Sequence, residues 1–357
     1  MKADEEQLTL FSKEKVGIVL ATYNPQIDYF REQIKSIERQ SFQNWICYIV
    51  DDCSRLEYQE LIEEITAIDK RFICKFHEIN FGSYHNFERG LQYCAQDQQI
   101  TAIAFCDQDD IWQENKLSTL LEEMRSQQAV LVHSDLELIN THNETLHPSC
   151  WEFEGRFPEK ATTELLLLRN TVTGCSLLFC ASLLPLILPF PNQSKVVWHH
   201  DLWVTLIASC FGKVVHVRRP LVKYRQHSSN VVGVMSDFGT FRYELRVWLK
   251  HRKGRLTNEN YLAYQELRQA LVSRCQEHPA VTQQFLSCNE GFEANNRFFS
   301  LVMHNLKIGY RAEGIALHLA IAKLIIDTSE TAKSIFRIPL KLKVYLKPIY
   351  KKLVHRL

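Results

Sequence analysis

The chain predicts an α/β fold: a doubly wound, mainly parallel sheet with a C-terminal helical extension. Three observations carry this. Short apolar runs recur at residues 16–21 (VGIVLA), 45–50 (WICYIV) and 102–106 (AIAFC). Such runs have the length and continuity of strands buried on both faces. Segments of helical period separate them, and each run ends in a polar turn at 22–24, 51–54 or 107–110. Strand–helix alternation puts those turns on one edge of a parallel sheet, where ligands bind in open α/β folds.

In order, residues 1–15 read as a loose leader and 16–21 as the first strand. Residues 27–39 form a helix, with Ile27, Phe30, Ile34 and Ile37 on one face. Strand 45–50 and helix 56–68 follow, then strand 72–76. Asn80-Phe81-Gly82 turns into a helix over 84–95. The strand ending at Cys106 leads to the acidic turn Asp107-Gln108-Asp109-Asp110, a helix over 114–125 and a strand over 129–133. Residues 141–160 read as loop, with Pro148, Gly155 and Pro158. Residues 173–180 (TGCSLLFC) read as one strand. A helix over 202–211 is capped by Gly212. Two strands, 213–217 and 221–224, flank Pro220, and Arg225 opens a polar loop. Helical period dominates from Phe238 to about Ser329.

Composition narrows the function classes. Hydrophobic residues make up 46% and charged residues 23%, which suits a globular chain. A net charge of +1 argues against nucleic-acid binding by the whole chain. The 11 cysteines contain no CxxC pair, so zinc and redox spacings are absent. Several sit in apolar runs as small hydrophobes, which points to a reducing, cytoplasmic compartment. The polar N-terminus does not read as a signal peptide, and no segment reads as a transmembrane helix. Neither GxGxxG nor GxxxxGK[ST] occurs, so an ordinary dinucleotide or P-loop site is not expected.

The acidic turn is the densest chemical signal. Crowded carboxylates repel one another and call for a cation. Taken alone, the turn could equally be a solvated cap on the next helix. Its companions are ATYNP at 21–25, VDDCS at 50–54, NFGSYHNFERG at 80–90, TGCSLLF at 173–179, HDLW at 200–203 and YRQHSSNVVG at 224–233. Together they resemble the family 2 glycosyltransferases of GT-A fold over residues 16–233, and most resemble bacterial rhamnosyltransferases of surface polysaccharide synthesis.

The resemblance implies a metal-dependent, inverting sugar transfer from a nucleotide diphosphate sugar of dTDP or UDP type, and the rhamnosyltransferase likeness suggests L-rhamnose as the sugar. The acceptor would be a hydroxyl of a glycan or lipid-linked acceptor. Asp107 and Asp109 would bind Mn²⁺ or Mg²⁺, with Asp107 alternatively on the ribose. His227 would be either a further metal ligand or a loop histidine bonded to backbone. Arg225 would face the diphosphate or form a surface ion pair. Asp201 would be the catalytic base, although a carboxylate opening a helix has a structural role of its own. Thr22, Asn24, Asp52, Asn80 and Gly82 would line the nucleotide, with Asp52 accepting from the base's imide N–H. Each is also an ordinary turn residue. Thr173, Gly174 and Cys175 would line the acceptor, with Gly174 allowing close approach of the ligand.

The C-terminal residues 331–357 contain no acid and eight Lys or Arg. Such a tail either lies on an anionic membrane, at the inner face of the plasma membrane, or packs on its own domain. Two other functions fit parts of the pattern: a non-catalytic sugar-nucleotide-binding member of the fold, and a haloacid-dehalogenase-like phosphatase. The phosphatase reading expects its DxD after the first strand, whereas here it follows the fourth.

Overall fold

The computed structural model describes residues 14–154, 156, 158, 166, 170–193, 198–227, 266, 267, 269–271, 273, 274 and 277. All of them belong to one compact unit, made of Met1–Ser236 and Ala263–Ser287. Most of the expected leader, most of the helical extension over 236–330 and the whole tail at 331–357 lie outside the described residues.

The first half alternates strand and helix. β1 is Val16–Thr22, α1 Ile27–Glu38, β2 Trp45–Asp51, α2 Leu56–Thr66, β3 Phe72–Phe76, α3 Gly82–Gln96 and β4 Ala102–Cys106. The strands β1, β2 and β4 are buried along nearly their whole length, as their continuous apolar sequences require. α1 starts where Gln26 accepts a hydrogen bond from Tyr29 N (2.9 Å). It buries Phe30, Ile34 and Ile37 against the sheet.

β5 (Ile111–Trp112), α4 (Lys116–Ser126) and β6 (Ala129–Ile139) come next. Then follow β7 (Thr145–His147), α5 (Cys150–Glu154), β8 (Leu177–Cys180), α6 (Leu184–Ile187), α7 (His200–Phe211) and β9 (Lys213–Arg225). The sheet order among the described residues is β3-β2-β1-β4-β8-β6-β9-β5, with β7 paired to β6. β3, β2, β1 and β4 are mutually parallel, and β6 is parallel to β9. β8 runs antiparallel to both β4 and β6. The strand order reverses at β1, which makes a crevice at the carboxyl ends of β1, β2 and β4.

Four sequence expectations change. Residues 141–160 are not all loop, since they contain β7 and α5. Residues 173–180 are not one strand: Gly174–Ser176 is a 3₁₀ turn and only Leu177–Cys180 is strand. The expected strands at 213–217 and 221–224 are one strand, β9, which carries Pro220 at a register shift opposite Asp135. A shift of this kind is where a strand tolerates proline's missing N–H. β9 also extends through Arg225, so that residue belongs to the sheet and not to a loop.

Helix α3 packs on β1 through Gly90. A Cβ there would lie 2.1 Å from Val19 Cγ1. Gly90→Ala is therefore expected to destabilise the protein by about 1–3 kcal/mol through overpacking. Denaturant melts check this, and Val19→Ala should restore part of the loss.

Candidate functional site

The carboxyl edge is built first by side chains that fix the turns. Asp51 is fully buried. Its Oδ1 accepts from Ser54 N (2.8 Å), and its Oδ2 accepts from Ser54 Oγ (2.5 Å) and Thr22 Oγ1 (2.9 Å). Thr22, expected on the nucleotide, thus has its hydroxyl engaged in joining β1 to β2. Asn24 has a positive φ of 41°. Its N donates to Ser54 Oγ and its Oδ1 accepts from Arg55 N.

Asp52 is 2% exposed, and both of its oxygens hold the next turn. Oδ1 accepts from Phe81 N (2.9 Å) and Oδ2 from Gly82 N (2.7 Å). Asn80 Nδ2 donates to Asp52 O, and Gly82 takes φ +81° with open space where a Cβ would stand. The expected nucleotide residues therefore do meet at one edge, and their polar atoms also hold that edge in shape.

The acidic turn joins this edge through Gln108, whose Oε1 accepts from Tyr23 N (2.9 Å). Asp109 Oδ2 lies 2.8 Å from His227 Nε2, and the imidazole leans on the Tyr29 ring at 5.7 Å. Arg225, expected on the diphosphate, is 0% exposed. Its N donates to Asp110 Oδ1 (3.0 Å) and its Nε to Asp109 O (2.8 Å). The rest of the guanidinium reaches Asn140 O, Asn143 Oδ1 and Glu32 Oε2, over the Tyr29 ring. The fork holds the back of the turn, inside the fold.

Asp110 is fully buried, and no nitrogen or oxygen donor reaches its Oδ2. Beside it lie Asp107 and the Cys175 thiol, with one ligand-type atom from each within 4.8 Å of the others. Burial, then Asp109 and Asp201, raise Asp107 to about 7. Burial with Asp109 and Asp107 pushes Asp110 far up. Lys116, at the start of α4, is buried with them, and desolvation lowers it to about 8. An oxygen-rich turn with an imidazole and an orphaned carboxylate oxygen fits a divalent cation such as Mn²⁺ or Mg²⁺.

Asp201 stands in the first turn of α7. Its Oδ1 accepts from Leu202 N (2.6 Å) and its Oδ2 from Gly174 N (3.1 Å). Burial raises its pKa, opposed by His199, Arg156 and the two backbone donors. Gly174 is needed for a reason the sequence did not give. A Cβ there would meet His200 Nε2 at 2.7 Å, so the close approach is to a protein side chain. His200 is buried, stacked on Phe87 at 3.6 Å, and burial drives its pKa far down. Thr173 Oγ1 accepts from Arg156 Nη1 (2.9 Å). Cys175 is 1% exposed, so its side chain faces the carboxylates and not solvent.

Sequence reasoning missed Asp51, Gln108, Lys116, Arg156 and Glu32. Asp51 and Gln108 stand inside motifs the sequence singled out, but their roles, like those of Lys116 and Glu32, are set by contacts to distant residues.

The raised Asp107 gives a pH prediction. Its folded pKa lies above the ordinary carboxylate value, so its contribution to stability is full at acid pH and is lost as pH rises through about 7. A divalent cation needs the ionised form. Thermal melts of the metal-free protein should therefore fall from about pH 4 to about pH 7 and then level off, while the rise caused by Mn²⁺ should grow over the same range. Asp107→Asn should flatten both trends.

Residues 17–184 match the family profile described as Glycosyl transferase family 2. The putative teichuronic acid biosynthesis glycosyltransferase TuaG of Bacillus subtilis is 28% identical over 163 residues, covering 46% of this chain and 60% of that protein. The putative colanic acid biosynthesis glycosyl transferase WcaA of Escherichia coli is 36% identical over 107 residues, 30% of this chain and 36% of that protein. The E. coli enzyme WfgD, a UDP-Glc:alpha-D-GlcNAc-diphosphoundecaprenol beta-1,3-glucosyltransferase, is 25% identical over 220 residues, 60% of this chain and 79% of that protein. The match thus spans 60% and 36% of the length of the first two. Among solved structures, S. aureus TarS 1–349 in complex with UDP-GlcNAc aligns with a TM-score of 0.49 at 15% identity, over 87% of this chain and 88% of that one.

Proposed function

We propose that the chain is a family 2 glycosyltransferase of GT-A type, metal-dependent and inverting, that acts in surface polysaccharide synthesis; the match of residues 17–184 to the family profile supports this. The donor is a nucleotide diphosphate sugar of UDP or dTDP type, and the acceptor a hydroxyl on a glycan or lipid-linked saccharide. The names of TuaG, WcaA and WfgD support the polysaccharide setting, and WfgD's name supports a lipid diphosphate-linked acceptor. The likeness of HDLW and YRQHSSNVVG to rhamnosyltransferases makes L-rhamnose the first donor sugar to test.

One observation carries the reading. A candidate base, Asp201, and a candidate cation turn, Asp107–Asp110, meet at one sheet edge although 91 residues separate Asp110 from Asp201. Asp109 and His227 would hold the cation, with Asp107 beside them. When bound, the cation neutralises the charge that builds on the departing diphosphate. Asp201 accepts the proton of the acceptor hydroxyl as the new bond forms, which is general-base catalysis. Its raised pKa strengthens it as a base. The Gly174 and Leu202 N–H groups hold the carboxylate in one orientation. A single base with direct attack gives inversion at the anomeric carbon, without the paired carboxylates of a glycosidase.

Among the described residues no helix is long and apolar enough to cross a membrane. The basic residues at 331–357 support contact with an anionic membrane, and we place the lipid-linked acceptor at the inner face of the plasma membrane.

The test is a screen of UDP-, dTDP- and GDP-sugars with Mn²⁺, read by thermal shift and by release of nucleoside diphosphate. Stabilisation by a UDP- or dTDP-sugar together with metal-dependent release supports the reading. Binding without turnover, with an authentic acceptor present, would instead make the chain a sugar-nucleotide-binding module.

A further inference from the structure

Lys116 is a buried cation that the sugar-transfer scheme does not use. It is 0% exposed, which lysine almost never is unless its charge is answered. Its Nζ donates to Cys175 O (2.7 Å) and sits 3.2 Å from the centre of the Trp112 ring. Asp110 and Asp107 act on it through space, and no carboxylate among the described residues forms an ion pair with it.

Its two contacts lie on opposite halves of the site. Trp112 closes the acidic turn and pairs with Val222, three residues before Arg225. Cys175 follows Gly174, whose N–H donates to Asp201 Oδ2. One ammonium therefore ties the exit of the cation turn to the Gly174–Ser176 turn, whose first N–H holds the candidate base. Within the 174–176 turn, Ser176 bonds back to Thr173 O through both its N and its Oγ, and the Leu177 N–H bonds to Gly174 O. His200 meanwhile crowds Gly174 from the other side.

We propose that Lys116 is a positioning residue for the transfer reaction: by holding the Cys175 carbonyl it keeps the Gly174 N–H on Asp201. It acts through the backbone and touches no substrate. The functional side of this inference rests on the proposed glycosyltransferase reading, whereas the link from Lys116 to Asp201 does not. Without the pin the Gly174 N–H swings away from the carboxylate. Asp201 then loses a donor that favours its charged form, so its pKa rises further and its orientation loosens.

The test compares Lys116→Met, which keeps the length and loses the donor, with Lys116→Gln, which retains an N–H donor without the charge. The readout is the titration of the Asp201 carboxyl by carbon-13 NMR of Asp-labelled protein, with its resonance assigned by its loss in Asp201→Asn. The Asp201 midpoint should move to higher pH in Lys116→Met and return toward the wild-type value in Lys116→Gln. In active protein, kcat should fall about tenfold or more in Lys116→Met with the donor KM within about twofold, because an oriented base affects the transition state and not donor binding. An unchanged Asp201 midpoint in folded Lys116→Met overturns the proposal. So does failure of both variants to fold, which would assign Lys116 to the core alone. Absence of turnover in the wild-type protein sinks the glycosyltransferase reading but leaves the titration result standing.

Discussion

Asp201→Asn is expected to lower kcat by about 10²–10⁴-fold, the usual worth of a positioned general base. The amide is close in size to the carboxylate, and its one oxygen can still accept from either the Gly174 or the Leu202 N–H, so the fold should be kept. Donor affinity and Mn²⁺ affinity should change little, since the proposed scheme holds the diphosphate at Asp107–Asp110 and not at Asp201. In wild-type protein the acid limb of kcat/KM should report a group above the ordinary carboxylate range, as burial dictates for Asp201. That limb should vanish in the residual activity of the variant. A variant with wild-type kcat would remove Asp201 from the chemistry. Loss of donor binding along with kcat would mean that the residue serves the donor instead.

Arg225→Met should cost the fold about 3 kcal/mol, because it removes a fully buried guanidinium from four charge-assisted hydrogen bonds to part-buried and exposed acceptors. Those acceptors are Asp109 O, Asn140 O and Asn143 Oδ1, together with the half-exposed carboxylate of Glu32. A drop in melting temperature of roughly 10 °C follows for a domain of this size. Arg225→Lys should recover little, since one ammonium cannot serve acceptors spread in three directions. The outcome separates two roles. A large loss of stability fits the buried fork; unchanged stability with weakened donor binding would return Arg225 to the diphosphate.

The first four strands were legible because buried parallel strands leave unbroken apolar runs, and the helices between them show plain period. β9 was read as two strands because Pro220 breaks the donor pattern, and only a register shift against β6 makes it acceptable. β5 was invisible: two residues inside an acidic stretch carry no period at all. The segment 141–160 hid β7 and α5 because their residues are mixed and polar.

At the site, legibility followed chain adjacency. Asp107, Asp109, His227, Asp201 and Gly174 could be proposed because they stand in short motifs, and the structure brings them to one edge. The division of labour inside a motif was not readable. VDDCS does not say that Asp51 staples β1 to β2 while Asp52 holds the 81–82 turn. Nor could a lysine at the head of a helix announce that it would be buried against Trp112. Such roles depend mainly on distant partners, Thr22 for Asp51, the 81–82 turn for Asp52 and the Cys175 carbonyl for Lys116, and composition and period carry no information about them.

The pairing of β5 with β9 has a consequence for the order in which the protein can be made. β1 to β4 are joined by local strand–helix–strand units, so that half can form as soon as about the first hundred residues have left the ribosome. Trp112, by contrast, meets its partner Val222 only after a further 110 residues. Until then the acidic turn has neither the Arg225 fork behind it nor His227 beside Asp109. A nascent chain can thus present the edge formed by Asp52 and Asn80 while still lacking a finished cation turn. Competence for transfer would arrive late and all at once, when the last strand of the sheet seats.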